Sequence, residues 1–96
     1  MNYIQPNNYI MKTLFLIKKR ITNKRGTTPI RCRFTISKTR KEFSTGIFIH
    51  PEYWDKDKQK VLDEIENSKT VNSQLSLIKQ KLSQAFFNAP NSGRFF

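Results

Sequence analysis

The stretch from residue 30 to residue 37 constrains the fold more than any other part of this chain. Apolar and polar side chains alternate there: Ile30, Cys32, Phe34 and Ile36 share one parity, and Arg31, Arg33 and Thr35 share the other. A period of two places successive side chains on opposite faces of a strand. The stretch therefore predicts a strand with one apolar face and one basic face.

The residues that follow predict its partner strand. Residues 37–39 turn the chain and residues 40–47 return as the next strand, with Gly46 marking where it ends and residues 47–51 leaving the sheet. In a tight hairpin either Cys32 or Phe34 lies opposite Phe43, and both pairings put Phe43 on the apolar face. The polar face then gathers six side chains, namely Arg31, Arg33, Thr35, Arg40, Glu42 and Ser44.

The rest of the chain predicts one further strand and one helix. Residues 13–19 contain a short apolar run that suits a mostly buried strand, and residues 52–60 predict a charged loop or a single helical turn. A helical stripe follows at spacings of four, three, four and four: Val71, Leu75, Ile78, Leu82 and Phe86. Ser68 or Thr70 is the predicted cap of its start, and Pro90 is its predicted end. The predicted fold is α+β, a three-stranded antiparallel sheet packed against one C-terminal helix in the order β-β-β-α.

Charge narrows the choice of partner. The 96 residues include 18 Lys and Arg against 7 Asp and Glu, which leaves a net charge of +11. Such a field favours a polyanion, and nucleic acid is the partner we expect, although a solvated basic surface without a polyanion is the plainer alternative. With one cysteine and one histidine, the sequence predicts neither an internal disulfide nor a zinc site. We expect Cys32 to be a core residue and the protein to be cytoplasmic, with no signal peptide or membrane span.

An ordered set of residues along the chain resembles the pattern of a known family. The ordered set comprises residues 29–33, residues 40–47, Pro51, Trp54-Asp55, and residues 71–75 with Ile78 and Lys79. It resembles the N-terminal arm-type DNA-binding domain of tyrosine recombinases, the phage and transposon integrases, particularly the version common in Bacteroidetes mobile elements. The pattern departs from the family in the second hairpin turn, where Ser37-Lys38 replaces an expected glycine, and in an acidic patch before the helix.

The resemblance implies a non-catalytic module. Its sheet would enter the major groove of double-stranded arm sites during integration or excision, and the catalytic domain of the parent recombinase would lie elsewhere. We expect three segments along the chain: a flexible extension over residues 1–11, the DNA-binding domain over 12–88 and a tail or linker over 89–96. The expected partners are DNA and other integrase domains or protomers, with the isolated domain a monomer. No cofactor or metal is expected.

The candidate DNA-binding residues fall into two groups. Side chains on the polar sheet face are placed to meet base edges or phosphates: Arg31, Arg33, Thr35, Arg40 and Ser44. An arginine can pair bidentately with guanine. Cations near the hairpin tips are placed for phosphates and would set affinity and salt dependence: Lys24, Arg25, Lys38 and Lys41. We expect Glu42 to orient Arg33 across the strands rather than to read cytosine.

Two other functions remain open. An RNA-binding or ribosome-associated protein would use the same charge, and it predicts exposed aromatic residues on the basic face. Phe34 and Phe43 are predicted on the other face, which disfavours it. A protein-interaction module would use the amphipathic helix and predicts that its apolar stripe is exposed.

The remaining distinctive residues have structural interpretations. We expect Trp54 to cover the core, His50 to be a loop residue, and the acidic residues to be solvated.

Overall fold

A computed structural model describes residues 11–88 of the chain. Of the predicted extension over residues 1–11, residues 1–10 lie outside this range, as do the predicted tail over 89–96 and the helix stop at Pro90, whereas Met11 begins the first strand. The long strands are β1 (Met11–Leu16), β2 (Thr28–Ile36) and β3 (Thr39–Ile49). A short hairpin follows, formed by β4 (Trp54–Asp55) and β5 (Lys60–Val61), and then the helix α1 (Ser68–Asn88). Single 3-10 turns occupy Lys19–Ile21 and Pro51–Tyr53.

The three long strands form an antiparallel sheet in the order β1-β2-β3. The α+β prediction is therefore confirmed. Cys32 pairs with Phe43, the first of the two predicted registers, and residues 37 and 38 form the turn. Ser37 has a φ of 55°, a left-handed conformation that glycine adopts most easily. Ser37 thus takes the conformation for which a glycine was expected.

Strand β1 begins earlier and is less buried than predicted. It spans Met11–Leu16, and of its residues only Phe15 is buried. Leu14 pairs with Arg33 and Leu16 with Arg31, so both leucines share the face of those arginines. The prediction of a mostly buried strand was wrong, because the apolar run spans both faces of an edge strand and only one face meets the core.

The sequence predicts that strand β3 ends at Gly46, but in the structure the strand continues beyond this residue. It continues to Ile49 through a bulge, in which residues 45–47 of β3 lie opposite Ile30 alone. Gly46 has a φ of 82°. Thr45 Oγ1 donates to the Ile30 carbonyl at 2.7 Å and accepts from the Ile47 N–H at 3.2 Å. The threonine side chain therefore forms hydrogen bonds with backbone groups that the bulge leaves without a partner in the β2–β3 pairing.

The predicted loop over residues 52–60 is a 3-10 turn followed by the β4–β5 hairpin, and this hairpin fastens the helix to the sheet. The side-chain amide of Asn72 on α1 accepts from the Val61 N–H at 2.8 Å and donates to the Val61 carbonyl at 3.0 Å. The Gln59 side chain accepts from the Phe15 N–H at 2.9 Å. These side chains act as substitute strand partners at two open edges.

The helix stripe packs on the apolar side of the sheet, as predicted. Leu75 and Phe86 are buried, and Val71, Ile78 and Leu82 are half-buried. The core cluster contains Phe15, Ile30, Cys32, Ile49, Val61 and Leu75, with Tyr53 and Trp54 among the residues packed against it. The predictions that Cys32 is a core residue and that Trp54 covers the core are thus confirmed. Burial raises the pKa of the Cys32 thiol to about 11. Within residues 11–88, no helix is both long and apolar enough to cross a membrane.

Candidate nucleic-acid interface

The pairing of the strands builds one broad polar face, here called the outer face. Arg31 pairs with Ser44, Arg33 with Glu42 and Thr35 with Arg40, which confirms the predicted sharing of one face. The outer face consists of Lys12, Leu14 and Leu16 from β1, Pro29, Arg31, Arg33 and Thr35 from β2, and Arg40, Glu42, Ser44 and Phe48 from β3. The helix covers the opposite face, so this one is left to solvent.

A single carboxylate organises the centre of the outer face. Glu42 Oε1 accepts from Lys18 Nζ at 2.7 Å and from Arg31 Nε at 2.9 Å, and Oε2 accepts from Arg33 Nε at 3.0 Å. The expected Arg33–Glu42 contact is confirmed, and two further cations join it. These four side chains form the Glu42 cluster. Hydrogen bonds from Lys18 and then Arg31 lower the pKa of Glu42 to about 2.

The Glu42 cluster fixes two arginines without using all of their donors. Each arginine gives its Nε–H to the carboxylate, and a guanidinium carries four more N–H groups on its two Nη atoms. Those groups suit a guanine edge or a phosphate. Because three cations share one carboxylate, the cluster keeps a positive charge. Residues two apart on a strand place their side chains about 7 Å from each other, so Arg31 and Arg33 stand side by side.

The other predicted residues of the sheet lie beside this cluster. Arg40 is exposed on the far side of Thr35, next to the β2–β3 turn. Ser44 is exposed, and its Oγ accepts from the Gly46 N–H at 3.1 Å within the bulge. Its hydroxyl hydrogen can still donate. The structure therefore brings Arg31, Arg33, Thr35, Arg40 and Ser44 together on the outer face.

The predicted phosphate-binding cations lie at opposite ends of the sheet. Lys24 and Arg25 are exposed in the β1–β2 connection, where the Asn23 side-chain oxygen accepts from the Arg25 N–H at 2.9 Å and holds the turn. Lys38 is exposed in the β2–β3 turn. The nine-residue strand β2 separates the two groups by about 30 Å. Lys41 is exposed but pairs with Phe34, so it lies on the other face from Arg40.

Comparison with known proteins agrees with this geometry. A family model described as an arm DNA-binding domain matches residues 15–94, which is most of the chain. The chain belongs to that family. An arm DNA-binding domain is a non-catalytic module of integrase-type proteins, and its partner is DNA. No curated protein and no solved structure is significantly similar to this arm DNA-binding domain.

The outer face of the arm DNA-binding domain carries an exposed aromatic residue that the sequence alone did not place there. Phe48 pairs with Pro29 beyond the bulge, and 53% of its surface is exposed. A strand that ends at Gly46, as the sequence predicts, leaves Phe48 outside the sheet. The signal was present, because Phe48 keeps the parity of Arg40, Glu42 and Ser44. Phe34 and Phe43 do lie on the other face, where their rings meet edge to face at 6.3 Å.

Other polar residues have structural roles. His50 Nδ1 lies 3.1 Å from the Gly26 carbonyl, and the His50 ring packs edge-on against Tyr53. The Asp55 carboxylate accepts from the Lys58 N–H in the β4–β5 turn at 3.0 Å, and Asp63 pairs with Lys60 at 3.1 Å. Among the described residues, no group of three or more His, Cys, Asp or Glu side chains is arranged to hold a metal ion.

Proposed function

We propose that this arm DNA-binding domain belongs to a tyrosine recombinase and lays its outer face into the major groove of double-stranded arm sites. The observation that carries the proposal is the Glu42 cluster. It holds Arg31 and Arg33 side by side on the exposed face of a sheet, in a chain whose family binds DNA. A small antiparallel sheet can enter the major groove and present its outward side chains to base edges.

The proposed contacts are of two kinds: some side chains contact base edges, and others contact backbone phosphates. Arg31 and Arg33 read guanine edges, and Thr35, Arg40 and Ser44 contact bases or the adjacent phosphates. The proposed phosphate contacts are Lys24 and Arg25 at one end of the sheet, and Lys38 and Lys41 at the other. Because these ends are about 30 Å apart, they would meet phosphates roughly nine base pairs apart along the duplex. Lys41 requires the DNA to pass round the end of the hairpin.

The biological setting is also part of this proposal. Catalysis would reside in another domain of the recombinase, and this module would bind arm sites while a mobile element is integrated or excised. Its other partners would be integrase domains or protomers, and the domain by itself would be a monomer. The setting would be the bacterial cytoplasm. Family membership and the net charge of +11 support the part of this proposal in which the module binds DNA.

Phe48 favours one alternative function. An RNA-binding sheet protein would stack a base on an exposed aromatic residue of the basic face, and Phe48 lies on that face. It stands alone there, since Phe34 and Phe43 pack together on the other side. Helix-mediated protein interaction lacks comparable support, because the stripe that it would use packs on the core.

An NMR titration with a short DNA duplex, repeated with a matched RNA duplex at two salt concentrations, tests the proposal. We expect salt-sensitive shifts at the backbone amides of Thr35, Arg40 and Ser44, and at the Nε–H resonances of Arg31 and Arg33. The Nε–H signals report directly on the Glu42 cluster. Shifts confined to α1, or stronger binding of RNA than of DNA, would contradict binding of duplex DNA by the outer face.

A further inference from the structure

The basic surface does not stop at the rim of the outer face. β1 is an edge strand, and a cavity of about 510 Å³ lies against it. Its lining includes Lys12, Arg33, Thr35 and Arg40, all members of the outer face, together with Lys79 from the helix. The helix therefore adds a cation to a cavity whose other charged residues belong to the sheet.

A second cavity continues this surface beneath the edge. It has a volume of about 360 Å³, shares Thr13 and Lys79 with the first, and also contains Lys58 and Lys60 from the β4–β5 hairpin. We call the two together the edge cavities. Among the described residues that line them there is no aspartate or glutamate, although Asp63 pairs with Lys60 at 3.1 Å from outside. Six cations thus surround two adjoining hollows.

Concave surfaces lined with one sign of charge concentrate the electrostatic field. Lysine ammonium groups bind phosphate as point charges and need no fixed orientation, so flexible side chains are sufficient there. Threonine hydroxyls in both linings add short donors. The ligand that this chemistry suits is a phosphodiester group, approached from the side of the sheet rather than from above it.

We propose that the edge cavities bind backbone phosphates of the DNA strand that passes β1, with Lys12 and Lys79 making the contacts. This proposal rests on the proposed function, and it deepens it by making α1 part of the interface. The outer face would then contact the major groove, while the helix would bind the DNA strand that borders this groove. Lys79 lines both cavities, so it is the cation that joins them into one continuous basic surface.

The helix offers a matched control for the test. Lys79 and Lys81 are both exposed on α1, but Lys81 lines neither cavity. Lys79→Gln and Lys81→Gln remove the same charge from the same helix, so a difference between them reports location and not net charge. Lys12→Gln tests the cavity from β1. Circular dichroism melts verify that each variant folds as the wild-type chain does.

Fluorescence anisotropy with a random-sequence duplex, measured across a range of salt concentrations, supplies the readout. A phosphate contact contributes close to one unit to the slope of log K against log salt, and its loss weakens binding about eightfold at about 0.1 M salt. We expect both changes for Lys79→Gln and for Lys12→Gln, and neither for Lys81→Gln.

The outcomes separate the two proposals. If Lys79→Gln and Lys81→Gln behave alike while the wild-type chain binds duplex DNA, the edge cavities are not a phosphate site and the proposed function stands. If the wild-type chain fails to bind any duplex, the proposed function itself is overturned. A slope that becomes shallower only for the two cavity variants supports the inference.

Discussion

Glu42→Gln is the substitution that tests the most specific feature of this domain. It removes one negative charge, keeps nearly the same side-chain shape and leaves one oxygen to accept a hydrogen bond. Partly exposed ion pairs contribute about 0.2–1 kcal/mol each, so loss of the three pairs of the Glu42 cluster predicts a total of about 1–2 kcal/mol. We expect the free energy of unfolding to fall by that amount at neutral pH.

The pKa of Glu42 gives an independent bound. Its fall from 4.5 to about 2 would correspond to about 3 kcal/mol at full strength. The Glu42 side chain is 20% exposed, so water screens the cluster and the real contribution lies below that bound. The total of about 1–2 kcal/mol from the three ion pairs is consistent with that bound.

The pH dependence has a definite sign. The folded pKa of Glu42 lies below its unfolded value, so the stabilisation is fully present above about pH 4.5 and is lost as the pH falls towards 2. Wild type and Glu42→Gln should therefore differ by a constant amount between pH 7 and pH 5 and converge below that. Urea denaturation followed by the fluorescence of Trp54 measures both curves.

Glu66→Gln is the matched control, because Glu66 is an exposed glutamate that forms no ion pair in the described structure. It should leave both the stability at pH 7 and its pH dependence unchanged. A Glu42→Gln protein as stable as wild type throughout the pH range would show that the cluster does not form in solution. So would a gap between the two proteins that persists unchanged at pH 2.

Binding gives a second readout of the same change. Glu42→Gln takes a negative charge off the outer face and releases Arg31 and Arg33 from a fixed orientation. We expect random DNA to bind more tightly and with a steeper salt dependence, while the preference for a specific site declines. Weaker binding of random DNA would refute the view that Glu42 restrains these arginines at the expense of phosphate affinity.

Four further substitutions test separate parts of the molecule. Arg31→Ala or Arg33→Ala should cost about 1–3 kcal/mol of specific binding and relax base preference in competition assays, whereas equal losses on specific and random DNA would mean that they contact only phosphate. Asn72→Ala leaves two backbone groups of buried Val61 without their partner, and it should cost about 2–4 kcal/mol in urea denaturation; a change below 1 kcal/mol would contradict the role of Asn72. Phe48→Ala should leave the melting temperature nearly unchanged, because the ring is exposed, and should weaken RNA more than DNA only if the RNA-binding alternative is correct.

The parts of the fold that follow from local pattern were predictable. Alternation from Ile30 to Ile36 and the position of Phe43 determine which face each residue joins, and the structure agrees. The bulge was not predictable in the same way. A glycine that needs a positive φ is compatible with a strand end and with a bulge. The choice depends on the contact of Thr45 Oγ1 with the Ile30 carbonyl, 15 residues away.

The β4–β5 hairpin and the full Glu42 cluster were missed for a related reason. Strands of two residues carry no period, and this pair is held by the side chain of Asn72 from the helix. Within the cluster, the Arg33–Glu42 contact follows from the hairpin register. Lys18 does not, because the register between β1 and β2 is set across a long connection and Lys18 lies beyond the end of β1.

If both proposals hold, the sheet and the helix share the recognition of DNA through one residue, Arg33. Arg33 belongs to the Glu42 cluster and also lines the cavity against β1. Under the proposed function, its orientation by Glu42 would determine which donors face the groove, and the same guanidinium would contribute positive charge at the edge. A lysine in its place would supply the charge but not the fixed, planar set of donors. The position thus calls for arginine and for a carboxylate beside it, since positive charge alone attracts DNA without selecting a sequence.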